Sequence, residues 1–112
     1  MGSNRYHGYL FEQWVGLELI RLHRQNPLAS IWFWRDHNGP EVDWIVKVEE
    51  SLIPIEVKWT QKPTSSDCRH LITFLKEYPQ AKEAFLVCQI ARPRQIHEGI
   101  TAIPWQNLSS IF

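Results

Sequence analysis

Only two cysteines occur in the chain, Cys68 and Cys88, and no Cys-x-x-Cys spacing is present. The sequence therefore offers neither a disulfide framework nor a thiolate zinc site. Two thiols in helical and strand-like apolar surroundings read as reduced core residues of a cytoplasmic protein. Long apolar runs are missing too, and nothing approaches the ~20 residues of a membrane-spanning helix, so no membrane partner is expected. No signal-peptide pattern opens the chain. Met1-Gly2-Ser3 reads instead as a cloning remnant, which leaves 4–112 as a single domain, large enough for one core and too small for two. The pattern Gly-x-x-x-x-Gly-Lys-Ser/Thr is absent, so the chain carries no ATPase of its own, and no cofactor loop points to a small-molecule enzyme. Net charge is lacking as well, with twelve basic residues against twelve acidic. Nucleic-acid binders usually carry a basic excess, so tight capture of DNA by the domain alone is disfavoured. A local basic surface from Lys62, Arg69, Arg92 and Arg94 stays open.

What the chain does carry is concentrated between Val42 and Trp59. Two β-branched runs flank the polar break Glu49-Glu50-Ser51, the pattern of a β-hairpin. Side chains alternate along a strand, so Glu56 and Lys58 share one face while Ile55, Val57 and Trp59 take the other. On the preceding strand Glu41, Asp43, Ile45 and Lys47 share a face, opposite Val42, Trp44, Val46 and Val48. Charges in an apolar strand cost free energy unless paired, hydrated or bound to an ion. A divalent metal would supply a reason, because hard cations are held by one or two carboxylates with waters and phosphates. An ammonium beside them can orient the attacking water. Taken alone, Glu-x-Lys reads as a solvated face of an ordinary strand; the rest of the chain has to support the metal.

Ahead of the hairpin, Leu10 to Gln25 is predicted as a helix buried along Phe11, Val15, Leu19 and Leu22 and ended by Asn26-Pro27. Glu12 lies ~20° from Leu19 around that helix and borders its buried stripe, either as a lip residue of a site or as a carboxylate bent out to water. His23 is ~16 Å further along by helical rise and reads as a surface residue. Strands are expected at roughly 30–37, 41–49 and 52–59, with a tight turn at Asn38-Gly39. Pro54 places the start of the third at an edge or irregularity. Ser66 is a candidate N-cap of a second helix that buries Leu71, Ile72, Phe74 and Leu75 and stops at Pro79. Ala84 to Cys88 reads as a strand buried on both faces, parallel to 52–59 through a right-handed crossover. A weak strand region with a turn at Gly99 follows at 96–103, and Pro104 is expected at the first position of a short terminal helix. Six tryptophans suit core or interface packing, and an exposed one can stack on a base.

The expected architecture is α/β, in the order αβββαβ: an antiparallel meander plus a parallel crossover strand, flanked by helices. With Glu12, Asp43, Glu56 and Lys58 in those places, it resembles the restriction-endonuclease-like, PD-(D/E)XK nuclease superfamily. The similarity is greater to one branch, the nuclease-like domain of unknown function at the C-terminus of bacterial and archaeal AAA-type ATPases. The matching residues are Gly8-x-Leu10-Phe11-Glu12-x-x-Val15-x-x-Glu18-Leu19, Trp34-Arg35-Asp36-x-x-Gly39-x-Glu41-Val42-Asp43, Ile53-Pro54-Ile55-Glu56-Val57-Lys58 and Ala102-Ile103-Pro104-Trp105. The resemblance implies that Asp43, Glu56 and the Val57 carbonyl hold Mg²⁺ (or Mn²⁺), that Glu12 assists directly or through water, and that Lys58 positions the hydrolytic water. Hydrolysis of DNA would then leave a 5′-phosphate. Val42 stands where the superfamily commonly has proline. Arg35 and Asp36 read as a salt-bridged hairpin, and Glu41 as a neighbour of the site. The resemblance also implies that the chain is a domain excised from a larger ATPase-linked protein, with DNA, an AAA-type ATPase domain and a second copy as expected partners. The competing reading is a catalytically silent module that docks nucleic acid or protein.

Overall fold

In the computed structural model, residues 2–33 and 42–112 are described, with side chains described for 7–31 and 42–112. Helix α1 runs over Gly2–Gln25, well ahead of the expected start at Leu10. Gly2, Asn4 and Gly8 are poor helix formers, which hides this first part from the sequence. Packing restores it: Phe11 and His7 meet the Trp59 ring, at centroid distances of 5.2 and 5.8 Å. The helix ends where expected, with the Asn26 side chain donating to the Leu22 carbonyl at 2.8 Å. His23 differs from the surface reading, because it is half-buried and its Nδ1 is enclosed. The helix lies across the sheet near its own last turn, which an angular projection does not reveal.

Strands β1 (Ala29–Phe33), β2 (Trp44–Val48) and β3 (Ser51–Val57) form the antiparallel meander. Val48 pairs with Ser51, so Glu49-Glu50 is a two-residue turn, and Glu49 takes the left-handed conformation (φ 55°). The expected Asn38-Gly39 turn and the Trp34, Arg35, Asp36 and Glu41 readings lie outside the described residues. The chain then passes a 3₁₀ turn at Ser65–Cys68 into helix α2 (Arg69–Glu77). The N-cap of α2 is Cys68 rather than Ser66, and Thr64 caps the preceding 3₁₀ turn: its N–H donates to Asp67 Oδ2 at 2.9 Å, and its carbonyl accepts from the Asp67 N–H at 3.0 Å. Asp67 sits three residues on, the capping-box spacing, and prefers that partner. Strand β4 (Ala84–Val87) pairs with β3 in parallel, as the crossover pattern predicts. Strands β5 (Arg94–His97) and β6 (Ile100–Ile103) form a hairpin turned at Gly99, whose φ of 76° suits a residue without a Cβ. The Trp105–Ile111 segment is a 3₁₀ helix; Pro104 precedes it with an extended ψ rather than opening it.

The sheet order is β1-β2-β3-β4-β6-β5, so β3 is central despite Pro54. Backbone donors two residues apart point the same way, and the N–H groups of Leu52 and Lys58 go to the Gln80 and Val87 carbonyls on the β4 side. Pro54 therefore faces its missing donor toward that side, one residue before β4 pairing begins at Ile55 and Phe85. Two cores result. Phe11, Val15, Leu19, Trp44, Val46, Ile53, Ile55 and Leu108 pack between α1, the terminal segment and one face of the sheet. Ile45, Leu71, Phe74, Leu86 and Ile100 pack between α2 and the other. Val42 joins the α2 side rather than the face of Trp44, since the chain bends at Asp43 before β2 begins. Both cysteines are buried and unbridged, and burial pushes each thiol up to about 11.

Candidate functional site

The site is built by that bend. The last β2–β3 pair is Trp44 with Ile55, and the next donor on β3, the Val57 N–H, would look for a carbonyl at residue 42. It finds the Asp43 carboxylate instead, at 2.7 Å from Oδ2. Asp43 thus ends the ladder with its side chain and brings a negative charge to the backbone between Glu56 and Lys58. Alternation then turns Glu56 toward α2, where it is buried to 6% exposure. His70, in the first turn of α2, approaches it with Nδ1 3.4 Å from Oε1, while Oε2 is enclosed without a hydrogen-bond partner. Burial first, and the Asp43 charge second, push the Glu56 carboxyl up to about 7; Lys58 opposes, Asp67 adds and Arg69 opposes.

A buried carboxyl whose proton affinity is raised by burial and by the charge of its neighbour Asp43, and which keeps one orphaned oxygen, forms with Asp43 a donor set that a cation would relieve. Mg²⁺ needs only one or two protein carboxylates, completing its shell with waters and phosphates. The residues therefore fit a hard divalent ion. Among the described residues no three His, Cys, Asp or Glu side chains come together as a metal cluster, so such an ion would rest on Asp43, Glu56 and backbone oxygen. Glu12 stands on α1, half-buried, and lines a cleft of about 130 Å³ with Gly16, Leu17, Ile20 and Trp44. It is not among the charges that set the Glu56 proton affinity. Glu18 pairs with Arg21 one turn along the helix surface.

His70 escaped sequence reasoning. Fourteen residues separate it from Glu56, and only the crossing of α2 over β3 joins them. A second feature also needed the fold. The segment after β3 folds back on β4, with the Gln89 N–H donating to the Thr60 carbonyl at 2.8 Å, and Trp59, Thr60, Gln61, Lys62 and Gln89 line an open groove of about 570 Å³. Of the expected basic surface, Arg94 reaches this corner and donates to the Pro63 carbonyl at 3.3 Å. No helix among the described residues is long and apolar enough to cross a membrane.

The chain belongs to the family described as Domain of unknown function (DUF4143), which it matches over residues 7–108. No curated protein matches it significantly. Among solved structures it is similar to Hjc, a Holliday junction resolvase from Archaeoglobus fulgidus, at 20% identity and a TM-score of 0.52, over 76% of this chain and 70% of that one. It is also similar to a chain of the Thermococcus gammatolerans assembly of McrB AAA+ hexamers with bound McrC, at 14% identity and a TM-score of 0.53. That match takes 87% of this chain but only 27% of the other. At such identities the likeness is one of fold: a mixed six-stranded sheet flanked by helices, matching the resolvase-like nuclease fold.

Proposed function

We propose that this member of the DUF4143 family is a PD-(D/E)XK-type, metal-dependent phosphodiesterase acting on DNA. One observation carries the proposal: the buried, orphaned Glu56 oxygen beside the Asp43 carboxylate, near the end of β3 with Lys58 just beyond it. Asp43, Glu56 and the Val57 carbonyl hold Mg²⁺ or Mn²⁺, with Glu12 assisting directly or through water. When bound, the ion lowers the pKa of the attacking water and neutralises the scissile phosphate. The chain does the rest. Lys58 orients the water in line with the phosphorus and offsets the charge that develops on the phosphoryl oxygens. Glu56 has to give up its proton for the ion, and the ladder-capping bond from Val57 fixes the Asp43 oxygen that faces it. Water adds to phosphorus as its proton passes to bulk solvent, and the bond to the 3′-oxygen breaks, leaving a 5′-phosphate and a 3′-oxygen that takes up a proton from solvent to become the 3′-hydroxyl.

Nicking of plasmid or branched DNA in Mg²⁺ or Mn²⁺ tests the reading. Wild type is expected to cleave, and Asp43→Ala, Glu56→Gln and Lys58→Ala are expected to lose cleavage. Equal, weak cleavage by wild type and Asp43→Ala would end it. A second reading is supported by the outer face of α1, where Leu10, Trp14 and Leu17 are exposed: a silent docking module of a larger AAA-type ATPase. It calls for calorimetry that detects no Mn²⁺ binding, together with partner binding that survives Glu56→Ala and Lys58→Ala.

A further inference from the structure

We infer that the groove after β3 is a subsite for an unpaired nucleotide flanking the scissile phosphate, with Trp59 as its stacking platform. The inference rests on the hydrolase reading for the position of the phosphate, and on its own observations for the nucleotide. The groove begins one residue past Lys58, at the carboxyl ends of the parallel strands β3 and β4, where open α/β sheets present their ligand crevices. Its walls are chemically mixed in the way a nucleotide requires. Trp59 offers an aromatic face, Gln61 and Gln89 offer amides that can read a base edge in either hydrogen-bonding sense, and Lys62 offers a cation for phosphate.

The platform is held in place. Trp59 packs edge-on against Phe11 and tilted against His7, so its orientation comes from α1, yet the residue remains 40% exposed. A large aromatic left in water at the mouth of a polar groove is a cost without a ligand. The backbone beneath it is pinned as well: the Thr60 N–H donates to the Lys58 carbonyl at 3.0 Å, the Lys62 N–H donates to Thr60 Oγ1 at 3.1 Å, and the Gln89 bond ties the segment to β4. In a duplex the base faces are already stacked on one another, so only a base at a nick, fork, junction or single-stranded end can use this ring.

The test separates binding from cleavage. Short dye-labelled oligodeoxynucleotides, as single strand, blunt duplex and duplex with splayed ends, are titrated in EDTA against wild type, Trp59→Leu, Trp59→Phe and Lys62→Ala. Wild type is expected to bind the single strand and the splayed duplex more tightly than the blunt duplex. Trp59→Leu keeps an apolar contact with Phe11 but cannot stack, and is expected to weaken those two about 5- to 150-fold while leaving the blunt duplex unchanged. Trp59→Phe restores most of the loss, and Lys62→Ala flattens the logarithmic salt dependence by about 0.7. Equal affinity of wild type and Trp59→Leu for the splayed duplex, or no binding of any oligonucleotide, overturns the subsite. Trp59-dependent binding by a wild type that never cleaves leaves the subsite standing and removes only the hydrolase. Cleavage of splayed DNA at an unchanged KM in Trp59→Leu does the reverse.

Discussion

At the residue scale, Asp43 has two separable duties. Its Oδ2 satisfies the Val57 N–H, and losing that acceptor leaves a half-buried donor without its partner, at a cost of up to about 1–3 kcal/mol. Asp43→Ala is therefore expected to lower the unfolding free energy measured in urea by that much. Asp43→Asn, which retains an oxygen acceptor, is expected to lose Mn²⁺ binding with a smaller change in stability. Glu56 makes a pH prediction whose sign follows from its environment. Folded, its carboxyl keeps its proton up to about pH 7, above the ordinary 4.5, so between those values the folded chain binds more protons than the unfolded one. The stabilisation is complete below about 4.5 and is lost as pH rises through 7, on the order of 3 kcal/mol in all. Urea unfolding of the metal-free chain should give lower stability at about pH 8 than at about pH 5, and Glu56→Gln should flatten this difference. Mn²⁺ should raise stability on the alkaline side and lose affinity below pH 7.

At the scale of elements, two glycines on α1 face the sheet with opposite consequences. A Cβ on Gly16 would lie 2.6 Å from Cζ2 of Trp44, whose ring is buried and cannot swing clear. Gly16→Ala should cost about 1–3 kcal/mol, even after the helix-propensity gain. A Cβ on Gly8 would meet the Trp59 Cβ at an ordinary 3.7 Å, so Gly8→Ala should stabilise by up to about 1 kcal/mol. A pair of thermal melts checks both. The same close approach of α1 to Trp44 places Glu12 beside the start of β2. Sequence periodicity found the buried stripe of this helix and its stop at Pro27, because side-chain pattern and proline are local signals. It missed the first turns, which are held by Trp59 from the segment just past β3, some fifty residues on.

At the scale of the molecule, α1 carries apolar side chains on both faces. Phe11, Val15, Leu19 and Leu22 go into the core, while Leu17 is 65% exposed on the other side and Leu28, just past the helix, is 89% exposed. Large apolar side chains left on the outer side of a helix are ordinarily covered. With formal charges balanced near neutral pH, nothing repels one copy from another. Sedimentation of wild type is expected to depend on concentration. The double change Leu17→Gln and Leu28→Gln is expected to abolish that dependence and to shift unfolding free energy by less than about 0.5 kcal/mol. A monomer at every concentration would contradict it.

The sequence by itself determined the order of elements, the meander with its parallel return strand, and the placing of Glu56 on β3 with Lys58 just past its end, because periods of two and 3.6 residues and the punctuation of proline and glycine are written locally. It could also set Asp43 at the head of β2. Only the tertiary structure decided that the Asp43 side chain replaces a ladder carbonyl, that His70 arrives over Glu56 from α2, and that Trp59, Lys62 and Gln89 enclose one groove. Those contacts join segments that no period relates. They arise where a strand stops pairing and where a helix crosses a sheet, and both are settled by packing rather than by pattern.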